Sequence, residues 1–198
     1  MWAKVESGSV TEIYRAPKSL TIGDTQYDRN IFSMWTAAEL STLDIYPVVQ
    51  DNTNLKDTVF YVNTNMSYAF HSSITLGSTD YTNVVVASYG TATAKSMTDV
   101  LFTAQDEIDI PSQVEGTVSR LGLKGQMKVD VNNIAGGHLS KYDWYILRAA
   151  SGGAAIPSSV TTYQADVRTK ANTHCTSIDN AADIDALAAL TFDWPTAI

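Results

Sequence analysis

Cysteine is nearly absent from this chain, and so are basic clusters, long apolar runs and charge in general. The single cysteine, Cys175, allows no intrachain disulfide and no multi-cysteine metal site. It stands between His174 and Thr176 in a stretch expected to be helical, where a buried or half-buried thiol is a small hydrophobe rather than a nucleophile. The longest apolar stretch, near Val84 to Ala87, is far too short to span a bilayer, so membrane insertion is not expected. The opening Met1, Trp2, Ala3, Lys4, Val5, Glu6 carries charges where a signal peptide needs an apolar run. Synthesis in the cytoplasm without export by a cleaved signal is the expectation. Lys and Arg number 13 against 21 Asp and Glu, a formal net charge of -8. The basic residues are scattered, and a chain of this sign repels phosphate backbones, so nucleic acid is not an expected partner. Charged residues make up only 17%, below the usual share of about a quarter. Serine, threonine and asparagine take their place, a surface common among proteins that sit in larger assemblies. No heptad run and no repeat at solenoid periods is present, which excludes an encoded coiled-coil shaft.

What is present is enough apolar material, 44% of 198 residues, for one medium domain or two small ones. Three textures follow one another. From Met1 to about Gln50, Trp2, Lys4 and Glu6 alternate with Ala3 and Val5, and Val10, Glu12 and Tyr14 alternate with Thr11 and Ile13. That is a hairpin pattern with its turn near Ser7, Gly8 and Ser9. Thr36 and Glu39 have capping-box spacing, and Leu40 and Leu43 follow on one face of a short helix that must stop before Pro47. From about Asp51 to Ala94, three runs read as strands: Val59 to Asn63, Tyr68 to Ile74 and Val84 to Tyr89. A small antiparallel sheet or meander is expected there. From about Ser96 onward the period becomes helical. Ser96 is the expected cap of a helix through Ala104, and Ser112 with Glu115 offers a second capping box after Pro111. Val118 to Leu139 fits a helix, although Gly116, Gly122, Gly125, Gly136 and Gly137 weaken it. After Pro157, Val160, Tyr163 and Val167 share a face, and a last helix is expected from Asn180 to Leu190.

The residues that could carry chemistry do not assemble into a motif. His71, His138 and His174 lack a second His or carboxylate at zinc spacing, and structural roles are expected for all three. The acidic groups Asp106, Glu107, Asp109 and Asp179, Asp183, Asp185 raise a cation site as the sharp reading. Neither has the spacing of a calcium loop, and Asp183 falls in a first helical turn, where its charge complements the helix dipole. No nucleophile elbow or phosphate loop occurs. No catalytic, cofactor-binding or metal residue is therefore assigned, no cofactor is expected, and the chain is not expected to be an enzyme. The ten tyrosines could stack on sugars, but core packing suits them better.

Two signatures do carry a resemblance. At the N-terminus, the hairpin Trp2 to Ile13 leads to Ala38, Glu39, Leu40 and then Ile45, Tyr46, Pro47, Val48, Val49. Toward the C-terminus, Asp143, Trp144, Tyr145, Ile146, Leu147, Arg148 is followed by Ala155, Ile156, Pro157, then Val160, Tyr163, Val167, Arg168 and the stretch Asn180 to Leu190. In these, about half of the chain, it resembles the small tail-fibre-associated and tail-fibre-assembly-like proteins of tailed, especially marine, bacteriophages. Members often show the order hairpin, helix, Tyr-Pro-Val-Val. They also often have a long charged helix where Gly116 to Gly137 lies, a point of departure. The resemblance implies a tail or fibre context and an accessory or structural role, with no catalytic residues to carry over.

The expected fold is α+β: an N-terminal antiparallel β region (hairpin plus small meander) with one short helix over 1–95, then a helical C-terminal region over 96–198. Trp144, Ile146, Leu147, Val160, Tyr163, Val167, Leu187 and Leu190 are the expected core of the second part. The expected function is that of a non-enzymatic structural component of a tailed-phage virion, in a tail fibre, baseplate or collar, made in the host cytoplasm. Its expected partners are other phage tail proteins and further copies of itself as a homo-oligomer or symmetric set, because short strand edges need covering and low charge makes burial inexpensive. The alternatives are a tail-fibre assembly chaperone absent from the mature virion and a host-surface glycan-binding module.

Overall fold

The computed structural model describes Met1–Ile198 as an α+β protein of two compact units, Met1–Thr93 and Ala94–Ile198. The first is built on a five-stranded sheet of order β2-β1-β5-β8-β7. Strands β1 (Trp2–Glu6) and β2 (Ser9–Tyr14) form the opening hairpin. Ser7 (φ 51) and Gly8 (φ 78) are its two turn residues. Positive φ at both matches the right-handed strand twist, and glycine takes it without a Cβ penalty. A small hairpin follows, β3 (Leu20–Ile22) with β4 (Thr25–Tyr27). Where one helix was expected there are two, α1 (Ile31–Met34) and α2 (Ala37–Ser41). The expected capping box is formed: Glu39 N–H donates to Thr36 Oγ1 at 3.2 Å and Thr36 N–H to Glu39 Oε2 at 2.7 Å. Those bonds to the charged carboxylate hold the Glu39 pKa below its ordinary value.

Strand β5 (Ile45–Asp51) changes partners at its proline. Its first half pairs antiparallel with β1, as in Trp2 with Pro47, and its second half pairs with β8 from Val48 onward. Pro47 stands at the handover, where a missing N–H is tolerated. After the short β6 (Tyr61–Val62), β7 (Met66–Leu76) and β8 (Thr79–Tyr89) form a long antiparallel hairpin. The two-residue β9 (Thr93–Ala94) stands at the boundary between units. One detail corrects the expected all-antiparallel meander: β5 and β8 run parallel, so the sheet is mixed. Edge strands β2 and β7 also approach each other, which curls the sheet toward closure. Its two faces bury different sets, as the alternation of a strand requires. Ala3, Val5, Tyr46, Val48, Tyr68, Phe70 and Val85 meet on one. Residues offset by one, Trp2, Tyr14 and Ile45, pack against Leu20, Ile31, Phe32 and Leu40 on the other.

The second unit is organised by two long helices, α4 (Leu123–Ser140) and α6 (Ser158–Asn180), packed on each other. On α6 the buried residues Val160, Tyr163, Val167, Ala171, His174 and Ile178 follow three- and four-residue steps, one stripe of the helix. Val131 and Ala135 of α4 are buried as well. Residues 96–99 supply the start of α4 with acceptors. Ser96 O takes the Leu123 N–H at 3.0 Å, Met97 O the Lys124 N–H at 3.2 Å and Asp99 Oδ1 the Gly122 N–H at 2.8 Å. These are donors that a helix start leaves without intrahelical partners. The approach needs glycine: a Cβ on Gly122 would sit 2.3 Å from Thr98 O.

Several helical expectations for this unit are corrected. No helix runs from Ser96 to Ala104. That stretch is extended and contains β10 (Val100–Leu101), and α3 (Ala104–Asp109) begins only after Thr103, whose own capping box with Asp106 sets the start. Pro111 to Glu115 makes turns instead of a capped helix, and Val118–Arg120 is β11, paired with β10, so the helix expected from Val118 begins at Leu123. Beyond α5 (Asp143–Ala150), α6 runs through Asn180, so the last helix does not begin there. The last helix is α7 (Ile184–Ala188), and Asp183 caps it by accepting the Ala186 N–H at 2.7 Å. Of the expected core, Val160, Tyr163, Val167 and Leu187 are buried and Leu190 is half-buried, but Trp144, Ile146 and Leu147 lie exposed.

Candidate functional site

Two stretches of the second unit fold without burying anything. Between Thr98 and Leu121 no residue is buried, and only Phe102, Asp106 and Gln113 are even half-buried. This arm is nonetheless ordered by its own hydrogen bonds. β10 pairs with β11, Phe102 N–H donates to Thr117 O and Gly116 N–H to Phe102 O, each at 2.9 Å, and Thr103 caps α3. Its large apolar side chains Val100, Leu101, Ile108, Ile110, Val114, Val118 and Leu121 all face solvent, Ile108 at 72% of its full exposure. Scattered exposed apolar residues are ordinary on a protein surface. Here seven of them fall within some twenty residues, on an arm with no core of its own. The arm is also acidic, with Asp106, Glu107, Asp109 and Glu115.

The second stretch is α5. It has no buried residue, and Trp144 (50%), Ile146 (42%) and Leu147 (69%) are exposed. The Arg148 guanidinium lies 4.9 Å from the Trp144 ring centroid and 5.0 Å from that of Tyr145. Such cation–π contact stiffens both partners and leaves the indole presented to solvent.

A third cluster joins two of the histidines. Trp194 of the C-terminal tail lies between them, stacked on His138 at 5.4 Å and edge-on to His174 at 5.2 Å. His138 Nδ1 is 2.7 Å from the Tyr163 hydroxyl, and His174 Nε2 is 2.8 Å from Asp193 O. Tyr142 Oη donates to Ile198 O at 2.8 Å, and Lys170 forms an ion pair with Asp193. Burial pushes the Tyr163 hydroxyl above its ordinary pKa, and the Lys170 ammonium holds the Asp193 carboxyl below its own. The imidazoles serve as flat hydrogen-bonding plates that fasten the tail. The Tyr163 hydroxyl is the one side-chain group hydrogen-bonded to either imidazole.

The remaining candidate residues separate. His71 is half-buried on β7 opposite Val84, in the other unit. Cys175 is half-buried on α6. Asp106 accepts from Thr103 N–H, Asp109 from Gln105 Nε2 at 2.8 Å and Glu107 from Glu115 N–H at 3.0 Å, three local tasks pointing different ways. The backbone and hydroxyl bonds from Thr103 hold the Asp106 carboxyl below its ordinary pKa. Asp179 pairs with Lys128 at 2.8 Å, and Asp183 caps α7. No group of three His, Cys, Asp or Glu side chains converges as metal ligands, and no helix is long and apolar enough to cross a membrane. A shallow depression of about 360 Å³, lined by Ser19, Gln26, Tyr27 and Asp28, lies in the first unit without a cluster of reactive groups. Periodicity hides the arm, because Val100, Leu101, Val114, Val118 and Leu121 all fall in stretches expected to be helical. The signal available was the Thr103–Asp106 box, which breaks that helical reading. Comparison with protein families, curated proteins and solved structures gave no match for this chain.

Proposed function

We propose that this protein is a non-enzymatic structural component of a tailed-phage virion, in the tail fibre, baseplate or collar, working through contacts with other tail proteins. The observation that carries the contact role is the arm from Thr98 to Leu121, ordered yet without a buried residue and lined with exposed aliphatic side chains. An apolar surface of this kind becomes favourable when a partner removes it from water, at about 25 cal/mol per Å². The tail context rests on the resemblance carried by Trp2 to Val49 and by Asp143 to Leu190. The low charge density fits the same reading, since a sparsely charged surface can be covered without stranding unpaired ions. Mass spectrometry of purified virions tests it. The expected result is this chain at a fixed copy number per particle. Its presence in infected cells but absence from particles would overturn the reading and favour an assembly chaperone.

A further inference from the structure

We propose that the arm of one copy docks on the α5 face of a second copy of this chain. The proposal deepens the reading above, on which its biological setting rests, and it names the surfaces through which copies join. Both surfaces are exposed in the single chain, so neither satisfies the other within one molecule. They are complementary in two respects. Each is apolar at its centre, Ile108 and Ile110 on the arm and Trp144 and Leu147 on α5. Their charges are opposed: the arm carries Asp99, Asp106, Glu107, Asp109 and Glu115 with Arg120 as its one base, whereas α5 is bracketed by Lys141 and Arg148, with Asp143 as the one acid among them.

Arg148 gives this contact its specificity. Its guanidinium has five N–H donors in a fixed fork. Within the chain Nη2 reaches only Ala155 O, at 3.4 Å, and Nη1, which is not enclosed, has no hydrogen-bond partner. Stacking on Trp144 and Tyr145 holds the fork in place. An arm carboxylate from a neighbour would supply an acceptor at the outer end of the fork, beside an indole ready to be covered by an isoleucine. The two surfaces are different patches of one chain, so the contact is head-to-tail. Repeated, it gives a ring if the rotation closes and a filament if it does not.

The test is sedimentation of the full chain from about micromolar to about millimolar, a range in which even a weak contact becomes populated. Wild type is expected to associate with rising concentration. Ile108→Asp and Leu147→Asp, each with unchanged circular dichroism, are each expected to weaken association by about tenfold or more. Mixing these two is expected to restore a dimer and nothing larger, because only one arm and one α5 face remain intact. Should either variant misfold, a charge exchange asks the same question: Arg148→Glu weakens association and a partner carrying Glu107→Arg recovers it. A chain that stays monomeric throughout, association indifferent to these substitutions, or a mixture that fails to pair would overturn the proposal. Arm variants that abolish binding to another tail protein while self-association is absent would assign the arm to that partner instead. The virion measurement is independent of all these outcomes, so failure of one reading does not hide in failure of the other.

Discussion

Helices α5 and α6 lie close together in sequence, carry apolar residues at helical spacing and meet opposite fates. The α6 stripe from Val160 to Ile178 closes on α4, with Val167 and Ile178 fully buried. On α5 the largest apolar side chains, Trp144 and Leu147, face water. Sequence periodicity shows that a helix has an apolar face. It does not show whether that face belongs to the chain's own core or to a neighbour's. The arm is the extended counterpart of α5, and both contrast residues that hold the second unit together with residues left exposed, which the proposal assigns to contacts between chains.

The contrast is sharpest in stability. Ile178→Ala should lower the free energy of unfolding of the second unit by about 2–5 kcal/mol, the cost of a cavity in a packed core. Leu147→Ala should change it by no more than about 0.5 kcal/mol, as exposed positions do. Urea unfolding of both variants checks the pair, and equal losses would break the comparison. A smaller effect of opposite sign is expected at Gln164. It is buried on α6, and its amide nitrogen has no hydrogen-bond partner. Gln164→Met keeps the volume and removes the stranded donor, which should stabilise by about 1 kcal/mol in the same experiment. Tyr163→Phe deletes the hydroxyl 2.7 Å from His138 Nδ1 and should cost about 1 kcal/mol. It should also loosen the tail, visible as faster amide exchange from Thr191 to Ile198.

The smallest effect concerns pH. Glu39 and Asp106 both have folded pKa values below their ordinary ones, each because a threonine N–H and hydroxyl bond to the carboxylate. Stability from a depressed carboxyl is fully present above the ordinary carboxylate range of about 4 and is lost as pH falls through the lower folded value. Acid should therefore loosen both caps. The arm should fray visibly, since α3 has no buried residue to hold it, while α2 keeps buried Leu40. The amide resonances of Thr103 and Thr36, followed by NMR through an acid titration, report the two caps separately.

What could be read from the sequence was local. The Ser7–Gly8 turn, the Thr36–Glu39 box and the face shared by Val160, Tyr163 and Val167 depend on neighbours within a few residues, and each stands as expected. What could not be read depends on distant pairing. Val48 meets Val85 in a parallel ladder and Val100 meets Arg120 across the arm, neither of which a residue's near neighbours specify. The Thr103–Asp106 box was local but uses Asp where Glu or Gln is the usual third residue, and Ser96 offered a competing cap. Trp144, Ile146 and Leu147 have core-like spacing, yet nothing in the chain's own fold covers them. The candidate surface was therefore visible only once folding had shown which apolar residues were left over.

On the proposed reading, the arm is a contact surface used within a virion. Carboxylate-directed cross-linking of purified particles, read by mass spectrometry, tests it most directly. The expected result is cross-links from Glu107 or Asp109 to another protein chain in the particle, with both carboxylates shielded from modification relative to the free protein. Particles that lack the chain, or that contain it with both carboxylates as reactive as in the free protein and joined to nothing, would contradict it.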